Sequence, residues 1–325
     1  MRKNNIPTIL FRVNASRKTG TGHVYECLWL ARELRAKIIF CVNPDRVATK
    51  LVRQFGFPLY LDRQFASLIE KVRPKVIIFD IVDIKQAHLK IANRSGAKIV
   101  VLNALKNPIK ADVQIATVFA PHPQNRQYSG GKYVLLKPSL RELRPGKIRK
   151  RASNIFIMFG GADDGNFTLK SLRALALVPG DFRISIVIGS ANKNYPSLSR
   201  YLKTFPKPYK MFHNIRDERK LASLMRTADL ALVSGGYTAL EFMYLGVPVI
   251  ALAQNEVEHK YIFSNFPKDS FMFLGFGRAA REQKIAAAIK TLISSYPKRL
   301  ALGARAGQVV DGRGISRVRR LVNSF

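Results

Sequence analysis

One histidine lies between a glycine-rich turn and a helix, a position from which a side chain can reach a ligand. His23 belongs to the stretch TGTGHVYECLWLARELRA (19–36), whose apolar spacing predicts a helix that begins near the histidine. A partly buried, neutral imidazole with a pKa of about 6 to 7 is a suitable general base for activating water. A histidine at a helix start also has a purely structural interpretation, so this residue alone leaves both open.

Two glycine pairs in the second half of the chain could approach a phosphate. GGADDGNFT (160–168) follows the apolar run NIFIMF, and GGYTALE (235–241) follows DLALVS. Glycine has no Cβ, so its backbone can come close to a ligand, and the unpaired N–H groups of the following helix favour an anion. Thr238 could add a hydroxyl donor, and Glu241 could accept hydrogen bonds from a ribose diol. Either pair alone could merely end a strand, whereas both together favour a site for a nucleoside diphosphate.

Alternating strands and helices must position these residues. Short apolar, β-branched runs predict strands at 8–13, 37–42, 75–80, 98–102, 154–159, 183–189, 229–234 and 247–253. Periodic segments in the first half predict helices at 23–36, 45–55, 64–72 and 84–95. Continuous apolar strands that alternate with helices are typical of parallel sheets covered on both faces.

The fold class that this order predicts is α/β, with two doubly wound, Rossmann-like domains in tandem. A basic segment with proline and glycine near 144–152 separates them, so we expect domains at 1–147 and 148–325. In such sheets ligands bind beyond the carboxyl ends of the strands. We therefore expect the two domains to face a central cleft.

The composition limits the possible classes of function. The 325 residues carry a formal net charge of +34, which attracts nucleic acid, anionic lipid and phosphorylated ligands alike. The two cysteines, Cys27 and Cys41, lie among apolar neighbours and are predicted to be buried free thiols. No apolar run is long enough to cross a bilayer and no signal peptide is recognisable, which predicts a soluble, cytoplasmic protein.

Several segments together resemble a known group of enzymes. SGGYTALEFMYLGVPVIAL (234–252) is similar to the donor-binding segment of GT-B glycosyltransferases. The chain also resembles the UDP-sugar hydrolases of pseudaminic acid synthesis and their spore-coat polysaccharide relatives. The segments that match them in order are FRVNASRKTGTGHVYECLWLA (11–31), GGKYVLLKPSLRELR (130–144), MFGGADDGNFT (158–168), ADLALVSGGYTALE (228–241), ALAQN (251–255) and DGRGISRV (311–318). The resemblance covers nearly the whole chain and implies a GT-B fold.

The resemblance implies a nucleotide site in the second domain. The glycine turns would hold the diphosphate, Glu241 the ribose, and the loop FHNI (212–215) the uracil through its backbone. Asn255 would face the sugar or the diphosphate. The implied nucleotide-binding residues are Gly160, Gly161, Asn214, Ile215, Gly235, Gly236, Thr238 and Glu241.

The resemblance also implies a catalytic role for His23. The histidine of the G-x-G-H turn would activate water for attack at the anomeric carbon of a UDP-sugar, which displaces UDP with inversion. Gly22, Asn14 and Asp80 would contact the substrate beside it. No cofactor and no metal are expected, because the sequence offers no cluster with metal-ligand spacing.

Five positions in this half carry residues that differ from the family pattern: Asn14 replaces aspartate, Glu26 arginine, Val82 tyrosine, and Asn103-Ala104 an acidic pair. Such groups orient a general base or hold substrate, so their replacement puts unchanged catalysis in doubt. Asp80 and Asp83 remain as partners for His23, or as ordinary strand-end residues.

Three functions therefore remain open. The first hypothesis is hydrolysis of a UDP-sugar in surface-glycan synthesis. The second is a GT-B glycosyltransferase, which the basic surface would help to dock peripherally on an anionic membrane. The third is nucleotide-sugar binding without turnover. Nucleic-acid binding is expected only nonspecifically, since no basic–aromatic recognition signature is present. The other histidines are expected in loops or at the surface: His88, His122, His213 and His259.

Overall fold

The chain folds into two compact units. The computed structural model describes residues 6–15, 21–81, 83–104, 109–117, 127–263 and 266–325. The first unit is Met1–Lys137 together with Gly312–Phe325, and the second is Pro138–Asp311. This division differs from the expected boundary after residue 147. The second unit begins earlier, and the C-terminal segment belongs with the first unit because its helix packs there.

The strands follow the apolar runs of the sequence. In the described part of the chain they are β1 (Thr8–Val13), β2 (Lys37–Val42), β3 (Leu59–Leu61), β4 (Val76–Asp80), β5 (Lys98–Leu102), β6 (Val113–Ala116), β7 (Gln127–Ser129), β8 (Asn154–Met158), β9 (Arg183–Ile188), β10 (Tyr209–His213), β11 (Leu230–Ser234), β12 (Val249–Ala253) and β13 (Met272–Phe276). Central strands such as β4 and β11 are buried at every residue, as a sheet covered on both faces requires.

Helices connect the strands. Those described are α1 (Gly22–Glu33), α2 (Arg46–Gln54), α3 (Phe65–Val72), α4 (Gln86–Arg94), α5 (Pro138–Arg141), α6 (Phe167–Ala176), α7 (Tyr195–Leu202), α8 (Glu218–Arg226), α9 (Tyr237–Tyr244), α10 (Glu282–Ser294), α11 (Tyr296–Val309) and α12 (Gly314–Asn323). Short 3₁₀ turns cover Asp62–Gln64 and Gly131–Tyr133, and a π-helical turn covers Glu258–Phe263. No helix in these described ranges has the length and hydrophobicity needed to span a membrane.

The first unit contains a parallel sheet with the strand order β3-β2-β1-β4-β5-β6-β7. The chain winds outward from β1 in one direction and then from β4 in the other, so the topological switch lies between these two strands. Val13 pairs with Asp80, which places the carboxyl ends of both strands side by side. Ligands of doubly wound sheets bind at such a point. The carboxyl ends of β1 and β4 are therefore the expected position of a ligand site in this unit.

The second unit repeats the arrangement with the order β10-β9-β8-β11-β12-β13. Here the switch lies between β8 and β11, which are paired in parallel. The turns that follow these two strands are the two glycine pairs, 160–161 and 235–236. Two parallel-sheet α/β units confirm the predicted fold class.

The strands that sequence reasoning missed are mostly short and lie at the sheet edges. β3 and β7 have three residues each, and none of their residues is fully buried. β10, YKMFH, is half-exposed or exposed along its length. Because edge strands bury less surface, they need no continuous apolar run, and the sequence signal is correspondingly weak. The two cysteines are free and buried, as predicted.

A close backbone contact positions the first glycine turn of the second unit. A Cβ added to Gly189, just after β9, would lie 2.3 Å from the carbonyl oxygen of Gly161 and 2.4 Å from its Cα. Ala191 N also donates a hydrogen bond to the carbonyl of Gly161, at 3.1 Å. Only glycine at residue 189 allows this approach, because the opposing atoms are backbone and cannot rotate away.

Gly189→Ala is therefore expected to lower the free energy of unfolding by about 3 kcal/mol, the cost of forcing a methyl group into a packed site. Gly307→Ala is the matched control, since an added Cβ there meets nothing within 4 Å and the residue lies inside α11. The control should keep or slightly raise stability. Denaturant titration measures both, and equal effects would contradict the close contact.

Candidate functional site

His23 meets a carboxylate at the topological switch of the first sheet. Helix α1 begins at Gly22, so the histidine occupies its first turn. Its Nδ1 lies 2.7 Å from Oδ1 of Asp80, the last residue of β4. The Asp80 side chain is completely buried, whereas 20% of the His23 side chain is exposed. The carboxylate thus holds one ring nitrogen of the imidazole, while the ring keeps access to solvent.

The carboxylate changes the acidity of the imidazole. The negative charge of Asp80 raises the pKa of His23 to about 9, helped by the hydrogen bond to Asp80 and by the charge of Glu26, while burial opposes the shift. The pKa is therefore higher than the value of about 6 to 7 expected from the sequence. At neutral pH the ring is an imidazolium that donates its Nδ1 proton to Asp80.

Asn103 joins a second carboxylate to this pair. Its Nδ2 donates to Oε2 of Glu26 at 2.9 Å and lies 3.4 Å from Oδ1 of Asp80. Its Oδ1 accepts from the backbone N and the hydroxyl of Thr117, both at 3.2 Å. Asn103 has a φ of 54°, a left-handed conformation that asparagine tolerates better than most residues. These contacts fix the orientation of the amide.

Two of the positions that differ from the family pattern thus meet at His23. Glu26 and Asn103 lie on α1 and directly after β5, and both contact the same network. Cys27 belongs to it too, since its Sγ lies 3.6 Å from Oδ2 of Asp80, and burial raises the pKa of the thiol. Sequence reasoning noted Glu26 and Asn103 only as departures, because the distances between them depend on how the strands are ordered.

The remaining predicted residues of the first unit do not contact His23 through any hydrogen bond that the structure describes. The Asn14 Oδ1 accepts from Nη1 of Arg12 at 2.5 Å, and Arg12, 1% exposed, also pairs with Asp62 at 3.3 Å. Gly22 is exposed at the start of α1, and Asp83 is exposed after β4. Val82 and His122 lie outside the described residues.

The first glycine turn of the second unit is shaped by a buried aspartate. Gly160 has a φ of 74°, which favours glycine. Asp163, 2% exposed, accepts hydrogen bonds from the backbone N of Phe167 and of Thr168, at 2.7 and 3.0 Å. The side chain of Asp163 therefore satisfies the first N–H groups of α6, and Gly161 remains exposed beside it.

The second glycine turn is already occupied by a side chain. Gly236 precedes α9, and the carboxylate Oε2 of Glu258 accepts from Gly235 N at 3.1 Å and from Gln254 N at 2.8 Å. The Gly235 N–H that was expected to face a diphosphate thus has a partner within the chain. Thr238 is half-exposed in the first turn of α9, and Glu241 is 7% exposed, so little of its carboxylate reaches solvent.

The other predicted nucleotide-site residues follow two further strands of the same sheet. Asn214, with a φ of 52°, follows β10, and its N donates to the carbonyl of Ile188 at 2.8 Å; the half-buried Ile215 comes next. Asn255 follows β12, and its Oδ1 accepts from Glu258 N at 3.0 Å. All of these residues lie at the carboxyl edge, where the fold places ligands.

Two of the other histidines, His88 and His259, are half-buried where a loop or surface position was expected, whereas His213 is exposed. His88 lies on α4, half-buried against the ring of Phe65, with centroids 4.9 Å apart. His213 ends β10 and is exposed. His259 is half-buried, because its ring stacks on Phe276 at 4.2 Å. Each has an aromatic contact that the local sequence did not indicate.

Glu258 is the site residue that sequence reasoning missed entirely. It lies 23 residues after Gly235, and only the pairing of β11 with β12 brings the two together. A weak signal was available, because Glu258 comes only five residues after the buried strand β12, near the carboxyl edge of the sheet. In the described ranges no group of three or more His, Cys, Asp or Glu side chains is arranged to hold a metal ion.

Asp80→Asn should lower the pKa of His23 from about 9 toward 6.5 or below, because burial then acts against the imidazolium without the main opposing charge. Titration of the histidine ring by NMR measures it. Asp83→Asn, which neutralises an exposed carboxylate, is the control and should leave the curve unchanged. A pKa that stays near 9 in Asp80→Asn would contradict the assigned cause.

The same shift predicts how stability depends on pH. The folded-state pKa of His23 is raised, so the pair stabilises the fold fully below pH 6.5, and this contribution is lost as the pH rises through about 9.

Several known proteins are similar to this chain in sequence. No protein-family model matches the chain. The uncharacterized protein MJ1062 of Methanocaldococcus jannaschii is 30% identical over 273 residues, which cover 76% of this chain; the chain spans 56% of the length of that relative. The spore coat polysaccharide biosynthesis protein SpsG of Bacillus subtilis is 29% identical and is matched over 94% of this chain and 95% of its own length.

A more distant relative bears the name of an enzyme. The UDP-2,4-diacetamido-2,4,6-trideoxy-beta-L-altropyranose hydrolase of Campylobacter jejuni is 23% identical over 73% of this chain and 88% of that protein.

Solved structures show the same fold. MurG of Acinetobacter baumannii superposes with a TM-score of 0.75 over 98% of this chain and 100% of that one, at 14% identity. Alr3699/HepE of Anabaena, solved in complex with UDP, has a TM-score of 0.66 at 16% identity, with the same coverage of both chains. The chain therefore has the GT-B fold and is a homologue of SpsG and of the Campylobacter hydrolase.

Proposed function

We propose that the protein hydrolyses a UDP-sugar to UDP and the free sugar, in the synthesis of a surface polysaccharide. The observation that carries the proposal is the pair of His23 and Asp80, 2.7 Å apart at the switch point of the first sheet. A histidine held by a buried carboxylate and still reached by solvent has the geometry of a general base. The names of the relatives, one a polysaccharide biosynthesis protein and one a UDP-sugar hydrolase, support this choice.

The proposed step moves one proton and one leaving group. Asp80 binds Nδ1, so Nε2 is the nitrogen that takes a proton from water as its oxygen bonds to the anomeric carbon. The bond between that carbon and the β-phosphate oxygen breaks, and its electron pair leaves with UDP. Asp80 stabilises the imidazolium that forms. The proton acceptor and its carboxylate partner are both side chains of this protein.

We assign the nucleotide to the second unit. The glycine turns at 160–161 and 235–236 follow the two strands of its switch point, where backbone N–H groups suit a diphosphate. Asn214 and Ile215 are assigned to the base, Thr238 to the phosphates, and Glu241 to the ribose. The similarly folded Alr3699/HepE was solved with UDP, which supports this choice of nucleotide.

A glycosyltransferase is the second candidate, and a specific observation favours it. Structures described as glycosyltransferases share the fold, including CalG4, the calicheamicin glycosyltransferase, with a TM-score of 0.69. The same histidine could take the proton of an acceptor hydroxyl in place of water. The net charge of +34 would then favour docking on an anionic membrane that carries the acceptor. Release of free sugar from the donor alone separates hydrolysis from transfer.

Calorimetric titration with UDP is the first test, with CMP, GDP and UMP as controls. About 0.3 M salt is needed, because a strongly basic protein binds any phosphate at low ionic strength. Micromolar affinity for UDP with discrimination against the other three nucleotides is expected. Equal, weak binding of all four would overturn the nucleotide assignment, and both enzymatic candidates with it.

His23→Gln should reduce turnover by about a thousandfold, because glutamine accepts no proton, while UDP affinity stays within a few-fold. In the wild-type enzyme kcat/KM is expected to rise with pH through about 9, as the imidazolium that Asp80 stabilises in the free protein loses its proton. Steady-state rates across this pH range measure both effects. His88→Gln, on α4 of the same unit, should keep wild-type turnover. Undiminished activity in His23→Gln would remove this residue from the reaction.

A further inference from the structure

We propose that the carboxylate of Glu258 occupies the diphosphate position in the unliganded protein, and that a bound diphosphate displaces this carboxylate from the Gly235 N–H. The inference rests on the proposed UDP site and adds to it a residue that opposes binding. It concerns a side chain that neither the sequence motifs nor the names of the relatives point to.

The position of Glu258 matches that of an anion. Its Oε2 bridges two backbone donors, Gly235 N at 3.1 Å and Gln254 N at 2.8 Å. These donors follow β11 and β12, neighbouring strands at the carboxyl edge of the sheet. A Cβ added to Gly236 would lie 3.7 Å from Oε1, so the carboxylate lies directly beside the turn that precedes α9.

The environment of Glu258 makes its displacement costly but possible. The residue is 9% exposed, and burial raises the pKa of its carboxyl, although the hydrogen bonds from Gln254 and Gly235 oppose that shift. A carboxylate is thus held by two N–H groups in a place that disfavours charge. Its backbone lies in a π-helical turn, Glu258–Phe263, that begins at this residue.

A diphosphate bound at this turn would be repelled by the carboxylate of Glu258. Phosphate oxygens within hydrogen-bond distance of Gly235 N would lie within a few ångströms of the Glu258 oxygens, and like charges at that distance repel strongly. The bound nucleotide must therefore replace one anion by another. Part of its binding free energy is then used to break the contacts that Glu258 makes.

This role differs from that of a simple brace between β11 and β12. A brace would stabilise the glycine turn in the shape that binds UDP, so its removal would weaken binding. A competing anion would do the opposite. Glu258→Gln separates the two, because glutamine has nearly the same shape and its amide oxygen can still accept from both N–H groups, but it carries no charge.

Calorimetric titration of UDP into the full chain, wild type and Glu258→Gln, is the test. We expect about tenfold tighter binding in the variant, since the neutral amide is displaced more easily and repels no phosphate. Glu256→Gln, which neutralises an exposed neighbour, is the matched control and should bind UDP as the wild type does. A similar gain in both variants would mean that general charge reduction, and not Glu258, is responsible.

The remaining outcomes separate this inference from the proposed function. UDP binding that is equal or weaker in Glu258→Gln overturns the displacement and leaves the nucleotide site intact. Failure of both proteins to bind UDP overturns the proposed function, and the inference with it.

Should the variant not fold, a crystal structure of the wild-type protein with UDP decides the point. A phosphate oxygen within about 3 Å of Gly235 N, with Glu258 moved away, is the expected result. Glu258 retained on Gly235 would overturn the inference.

Discussion

A carboxylate with no exposure to solvent, that of Asp80, imposes the main constraint on the first unit. An ionised carboxyl group in the interior is tolerated only when charge and hydrogen bonds compensate it. Here compensation comes from His23 on α1 and from the amide of Asn103 after β5. The helix, the strand end and the loop must therefore keep their relative positions. The proton on His23 therefore stabilises the fold, in addition to any part it has in a reaction.

The altered residues around His23 are best understood together. A second carboxylate, Glu26, would add like charge to a site that already holds Asp80. Asn103 lies between them, and its NH₂ group reaches an oxygen of each. An acidic residue at position 103 would place a third carboxylate there and could donate no such bond when ionised. Glu26 and Asn103 thus form a compatible pair, which is why the site can retain its histidine–carboxylate geometry with neither family residue present.

Local features of the sequence were sufficient to predict much of the fold. Strands such as β8 and β11 are continuous apolar runs, and the glycine turns after them needed only local spacing to be placed. The contacts within the site could not be predicted from local sequence. His23 and Asp80 lie 57 residues apart, and only the adjacency of β1 and β4 brings them together. The pKa of His23 depends on that contact and on burial, and the residues next to it in the sequence predict neither.

The turn at Gly235 and Gly236 also differs from what its local sequence predicts. A glycine pair before a helix predicts free N–H donors, and this expectation treats the turn as isolated. In the folded unit the turn has a neighbour across the sheet, and Glu258 reaches Gly235 from there. Unpaired donors at a buried strand end are costly, so some acceptor is expected whenever no ligand is present.

Helix α12 belongs to the first unit although it comes after the second unit in the sequence. Gly314 of α12 fits against the carbonyl of Val134, where a Cβ would lie only 2.1 Å from the oxygen, and Arg317 donates to the carbonyl of Lys132 at 2.8 Å. This helix also packs on α1, which carries His23. The first unit is thus interrupted in sequence by the whole of 138–311. The helix that bears His23 therefore packs against residues that are synthesised only after the whole of the second unit.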